Sequence, residues 1–267
     1  MIGTALLAVA LAAEPAPAAV PPTGPWYVRP EESMCLLERR YVVGGQTVSL
    51  VFQPLLDLEQ MELFVIVPGR GGRQHVGTFS AAVSSAEQPY TGRYYSVPAS
   101  KSRVTRLTTE RGLLNALKDG DTLRIQAKPV DQSFVIVRPE KVRPVLQQCI
   151  DDLKKSWGID PDVAGRAVTP LEGNPARYFG PNSYPADAYS QGIYGRVIAL
   201  LNIDTSGAVT HCRIVSSAGP ALNEGTCTAA KRIRFKPARD KEGQALPSTY
   251  VLPVRWVMPG SPESLEE

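Results

Sequence analysis

The chain has 267 residues, enough for two modest domains, with 43% hydrophobic and 21% charged residues, an ordinary globular balance. A formal net charge of +3, with Lys and Arg scattered, gives no electrostatic footprint for nucleic acid or an anionic membrane. Aromatic content of 7%, without an aromatic-plus-basic stripe, also leaves no base-stacking platform.

The chain opens on an apolar run, Ile2 to Ala13, followed by Pro and Ala. It reads as the apolar region of a secretory signal within 1–18, with small-residue cleavage positions near Ala12, Ala13 or Ala18. The run lacks preceding Lys or Arg and falls short of the roughly 17–25 residues that span a bilayer. Glu14 to Pro25 carries five prolines and reads as an extended linker. Its twelve residues would reach roughly 37 Å at about 3.1 Å each. The linker proper is placed at 19–25.

Residues 26–157 read as one β-rich domain with a C-terminal helix. Gln46 to Gln53 alternates as a half-buried strand does, and Glu62 to Val67 is a continuous apolar run suited to a central strand. Further strands are expected at Thr122–Ala127, Ser133–Val137 and, as an edge, Ala99–Leu107. Thr109 to Lys118 predicts a short helix. Val142, Val145, Leu146, Cys149, Ile150, Leu153 and Trp157 recur at helical spacing. That pattern predicts a helix from about Pro139 or Pro144 to Trp157, its regular part starting near Arg143, because Pro144 suits a first turn.

Four cysteines in an exported chain suggest disulfides and admit three pairings. Domain logic favours Cys35 with Cys149 and Cys212 with Cys227, one bridge within each unit. Gly158 to Ser183, rich in Pro and Gly, reads as the connection between units.

From Tyr184 the pattern sharpens. Tyr184-Pro185 opens a short helix through Ser190. Arg196 to Asp204 is a strand, Asp204 to Gly207 a hairpin loop, and Val209 to Ser216 the return strand. A helix follows to about Arg234, with Leu222, Thr226, Ala229, Ala230 and Ile233 on its buried face and Lys231, Arg232 and Arg234 in its last turn. Tyr250 to Val257 is the last strand. Pro253 within it marks an edge strand or bulge, since proline cannot donate to a ladder. Residues 259–267 read as a disordered tail.

An ordered set of residues in this stretch resembles the C-terminal domain of TonB-like energy transducers. The set is Tyr184-Pro185 with Ala188, Gly192, Gly195, Ile203-Asp204 with Gly207, Val215-Ser216-Ser217 with Gly219, Leu222, Arg234-Phe235 with Pro237-Ala238, and Val251 with Pro253-Val254. The resemblance covers residues 184–258, about a quarter of the chain. It implies an α+β fold: a small antiparallel sheet with one packed helix. It further implies a non-catalytic module of the Gram-negative cell envelope, in the periplasm, soluble or associated with the inner membrane through the N-terminus. In that family an exposed edge binds an extended segment of an outer-membrane transporter by strand addition, as part of TonB-type transmembrane transport. Here the partner-binding strand would be Tyr250, Val251, Leu252, Pro253, Val254, Arg255 and Trp256. Full transducers also carry a membrane helix and a long proline-rich spacer, and both are short here. A periplasmic scaffold without energy coupling is the alternative.

No chemistry competes with this reading. His75 lies in a Gly- and Arg-rich turn and His211 on a strand, neither with ligand-like neighbours, so no metal or other cofactor is expected. G-x-S-x-G is absent, and Gly69 to Gly72 lacks the Lys-Ser/Thr of a phosphate loop. That loop reads as a solvated hairpin tip in which Arg70 and Arg73 could touch an anion. Asp151 and Asp152 stand side by side on a solvated helix face, not across a cleft.

Overall fold

A computed structural model describes residues 17–56, 60–69, 73–99, 101–128, 130–159 and 165–259. Residues 1–16 of the expected signal segment and 260–267 of the expected tail lie outside the described residues.

The first unit is a single curled sheet. Its strands are β1 (Ala19–Val20), β2 (Tyr27–Pro30), β3 (Cys35–Val43), β4 (Gln46–Pro54), β5 (Gln60–Pro68), β6 (His75–Val83), β7 (Tyr90–Pro98), β8 (Ser102–Glu110), β9 (Thr122–Ala127) and β10 (Val130–Val135). The order across the sheet is β1-β10-β9-β6-β7-β8-β5-β4-β3-β2. Its two ends meet. β1 runs parallel to β10, and Pro22, two residues on, bridges Tyr41 of β3. Across the same seam the Tyr41 hydroxyl donates to the Val135 carbonyl at 3.2 Å, and its ring packs on Phe134 at 4.7 Å. The result is a barrel. Closure removes sheet edges that would otherwise pair with other chains.

Alternation sets the interior. Leu37, Tyr41, Leu50, Phe52, Leu63, Leu107, Leu123, Ile125 and Phe134 are buried there. Helix α1 (Gly112–Ala116) and helix α2 (Pro139–Ser156) pack on this core through Leu113, Leu114, Val142, Leu146 and Ile150. Arg143 fastens the two helices, donating to the carbonyls of Leu114, Asn115 and Leu117 at 2.8–3.2 Å. The Cys35–Cys149 bridge ties α2 to the start of β3.

Several sequence expectations need correction here. The segment 19–25 is not a free linker, because β1 and Pro22 close the barrel. Helix α2 takes the earlier of its two expected starts, Pro139, which suits the first helical position, so only the expected regular start near Arg143 moves and Pro144 lies inside the helix. Ala99–Leu107 becomes β8, an interior strand between β7 and β5. The strand expected at Ser133–Val137 is β10, three residues earlier. β5 and β6 are not neighbours in the sheet, so no hairpin joins them. Arg70, Gly71 and Gly72, the middle of the expected hairpin tip, lie outside the described residues.

The C-terminal unit follows the expected order. After helix α3 (Ala186–Ser190) come β11 (Gly195–Ile203) and β12 (Val209–Ser216), then helix α4 (Pro220–Ala230), a small hairpin of β13 (Ala238–Arg239) and β14 (Ala245–Leu246), and β15 (Ser248–Trp256). The three long strands form one antiparallel sheet in the order β12-β11-β15. The Asp204 carboxylate caps the hairpin. Hydrogen bonds from the Ser206 hydroxyl and the Ala208 and Ser206 amides hold it below the usual carboxylate range. Gly207 sits at φ +83, and a Cβ there would lie 1.8 Å from the Phe235 carbonyl oxygen, so no other residue fits this turn.

Two boundaries move. Helix α4 stops at Ala230, so Arg232 and Arg234 lie beyond it; Lys231 is its cap, and Ile233 is buried just past the end. The segment expected as a connection is in its second half part of this unit. Thr169 and Glu172 bridge Arg239 and Lys236, while Leu171, Tyr178 and Phe179 pack on the C-terminal core.

Cys212 on β12 and Cys227 on α4 form the second bridge, across 15 residues. A loop of that length corresponds to about 3 kcal/mol in the chain-entropy account. Cys212→Ala is expected to lower the thermal midpoint of this unit while leaving β15 in place. Equal melting of variant and parent would mean that the bridge contributes nothing.

Candidate partner-binding strand

Strand β15 lies at one side of its sheet, paired to β11 over its whole length, from Ser248 opposite Ile203 to Trp256 opposite Gly195. No other strand among the described residues pairs with its outer edge. Pro253, opposite Ile198, is tolerated because an edge strand needs only one full ladder.

Its side chains are largely committed inward. Leu252, Val254 and Trp256 face α4 and join the buried cluster of Val197, Ala199, Leu201 and Leu222. Trp256 meets Tyr184 edge-on at 5.4 Å and Phe179 at 5.9 Å, and its indole N–H donates to the Thr226 hydroxyl at 2.9 Å. The Thr226 hydroxyl in turn donates to the Leu222 carbonyl, so this buried polar pair is satisfied. Tyr250 packs on Phe235 at 5.1 Å. Tyr184 donates to the Ile193 carbonyl at 2.6 Å, and burial pushes its hydroxyl pKa up.

The other face of the sheet is not open to solvent. Ile198, Leu200 and Val251 belong to the same hydrophobic cluster as the barrel core. Pro253 and Val251 border Met34, Pro54 and Leu56 of the barrel. Arg213 on β12 donates to the Trp157 carbonyl at the end of α2. A buried ion pair centres the junction: the Glu62 carboxylate lies 2.5 Å from the Arg196 guanidinium and 3.8 Å from that of Arg255. Glu62 points outward from β5 yet is only 5% exposed. The C-terminal sheet therefore covers part of the barrel wall, which accounts for the burial of Glu62 on the outer face of β5.

The sheet thus has one face under α4 and one face on the barrel. What β15 can still offer a partner is main chain. Such an edge can take an extended segment by backbone hydrogen bonds, with little side-chain selection. Sequence reasoning placed the strand and its edge character through Pro253. It missed Glu62 and Arg196 altogether. An acidic residue leading an otherwise apolar run, ELFVIV, was the available signal.

His75 is the first residue of β6, and His211 stands opposite Asn202 on the hairpin. Among the described residues no group of three His, Cys, Asp or Glu could hold a metal ion, and no helix is long and apolar enough to cross a membrane.

Residues 180–258 match the family described as the Gram-negative bacterial TonB protein C-terminal. The match begins four residues before Tyr184. It spans the short helix, the three-stranded sheet and the packed helix, and it is a family of non-enzymatic interaction domains. No curated protein and no solved structure matches the chain.

Proposed function

We propose that the C-terminal unit, a TonB C-terminal domain by its sequence, works in the Gram-negative envelope by binding an extended segment of an outer-membrane transporter. The segment adds as a fourth strand along β15, at the residues from Tyr250 to Trp256. The observation that carries this reading is the position of β15: it lies at the sheet edge, while helix and barrel bury the faces. Pro253 shortens the run of donors, which favours a short heterologous segment over pairing with a second copy.

A second reading has its own support. Full transducers of the family that this unit resembles carry a long proline-rich spacer ahead of the binding domain. In this chain the proline-rich segment closes a barrel, and that barrel grips the C-terminal sheet. A scaffold that presents the same edge without energy coupling fits this arrangement.

The test is titration of the isotopically labelled protein with an extended peptide taken from the periplasmic side of a transporter. Amide signals of Tyr250 to Trp256, Pro253 excepted, are expected to shift together, while those of β12 stay put. No shift at about millimolar peptide, an affinity of roughly 4 kcal/mol, would sink the strand-addition reading.

A further inference from the structure

The seam of the barrel holds a groove of about 380 Å³, well away from β15. Trp26 and Val28 form one side, Val145 on α2 the other, and Arg39 lies between them with Arg138 and Lys141 at the helix start.

Arg39 is the unexpected residue. It stands in the inward row of β3 between Leu37 and Tyr41, a position whose pattern calls for an apolar side chain. It is 6% exposed. One terminal nitrogen donates to the Val137 carbonyl at 3.3 Å, and the guanidinium lies 4.9 Å from the centre of the Trp26 ring. Its Nε has no hydrogen-bond partner. No carboxylate among the described residues forms an ion pair with Arg39, Arg138 or Lys141. A ring face offsets only a small part of the cost of burying a charge, and buried charges are otherwise paired.

The second observation is at the helix start. Arg138 has φ +52, the one non-glycine residue at positive φ among those described. Asp119 accepts its backbone N–H at 2.8 Å and holds the turn. Such strain persists where the surroundings enforce it, and it concentrates at binding sites. This turn sets Arg138 and Lys141 beside Arg39, at the positive end of an 18-residue helix. Across from them the apolar side is open: Val145 is 53% exposed, and Trp26 and Val28 are half-buried.

We propose that this groove binds a small amphipathic anion, its phosphate or carboxylate head on Arg39, Arg138 and Lys141 and its apolar body along Trp26, Val28 and Val145. The head supplies the missing partner of Arg39. The size suits a ligand with a short chain or a single ring.

Octyl phosphate, kept monomeric, is the probe, titrated into the intact protein by calorimetry and by thermal shift. It is expected to bind and to raise the melting midpoint. Inorganic phosphate and octanol, each meeting half of the site, are expected to bind at least about tenfold more weakly. Arg39→Met is expected to weaken octyl phosphate by about tenfold or more, as loss of a buried charge partner does. Its unliganded midpoint should hold or rise, because an unpaired buried charge is gone. Arg138→Gly with Lys141→Gln, both exposed positions, keeps the test valid should Arg39→Met misfold, and the same weakening is expected. Vesicles containing phosphatidic acid separate the sources. Arg39-dependent binding to both vesicles and octyl phosphate assigns a lipid head; Arg39-dependent binding to the monomer alone assigns a soluble anion. No binding of octyl phosphate at about 1 mM, or equal binding by parent and both variants, overturns the proposal.

Discussion

The double variant Cys35→Ala with Cys149→Ala is expected to melt about 10–20 °C below the parent. The bridge spans 114 residues, from the start of β3 to the middle of α2. Closing a loop of that length corresponds to about 4–5 kcal/mol in the chain-entropy account. Without it, α2 is held by four buried side chains, Pro139, Val142, Leu146 and Ile150, and by the Arg143 hydrogen bonds. Those contacts form late in the chain and close the unit end to end, so their loss reaches the whole barrel. Thermal unfolding of the variant, beside reduced parent, measures the effect. A midpoint within a degree or two of the parent would show that packing alone holds α2.

Glu62→Gln is expected to cost about 3–5 kcal/mol. Gln keeps the shape of Glu but leaves the Arg196 guanidinium, whose side chain is 18% exposed, facing a neutral amide at the junction. Two companions sharpen this. Arg255→Ala should cost under about 1 kcal/mol, since its side chain is 41% exposed and lies 3.8 Å from the carboxylate. Glu62→Leu with Arg196→Leu should recover most of the loss, because replacing both partners leaves no buried charge unpaired. Proteolysis between the units would rise for Glu62→Gln alone. If Glu62→Gln melts with the parent, the ion pair does not hold the junction, and Ile198, Leu200 and Val251 carry it by burial.

This junction bears directly on the proposed function. A sheet free on its lower face could bind a partner there or twist to meet one. Here that face is packed on barrel residues, so the edge of β15 remains as the open polar surface of the strand. The barrel thereby fixes both the position and the orientation of the edge that a transporter segment would meet.

The C-terminal unit was legible because its signals are local. The apolar run of β11, the Asp204 to Gly207 turn and Pro253 in the last strand each specify backbone geometry within a few residues. The turn demands glycine, the helix demands spacing of three and four, and the ordered residues of the family carry both. The cysteine pairs were legible for a similar reason, as each closes one folded unit. Within the barrel, β4, β5 and β9 alternate or run apolar and were read. Strands β3, β6 and β7 were not: their inward rows include Arg39, Gly77, Ala81, Gly92 and Ser96, which carry little hydrophobic contrast.

What the sequence by itself determined was the character of each element and the order of the C-terminal unit. What tertiary structure alone decided was where surfaces meet. Closure of the barrel by a proline-rich segment depends on Pro22 reaching Tyr41, nineteen residues on and across a seam. Burial of Glu62 depends on Arg196, far along the chain. Both are contacts between segments with no shared local pattern, and only the folded chain brings them together.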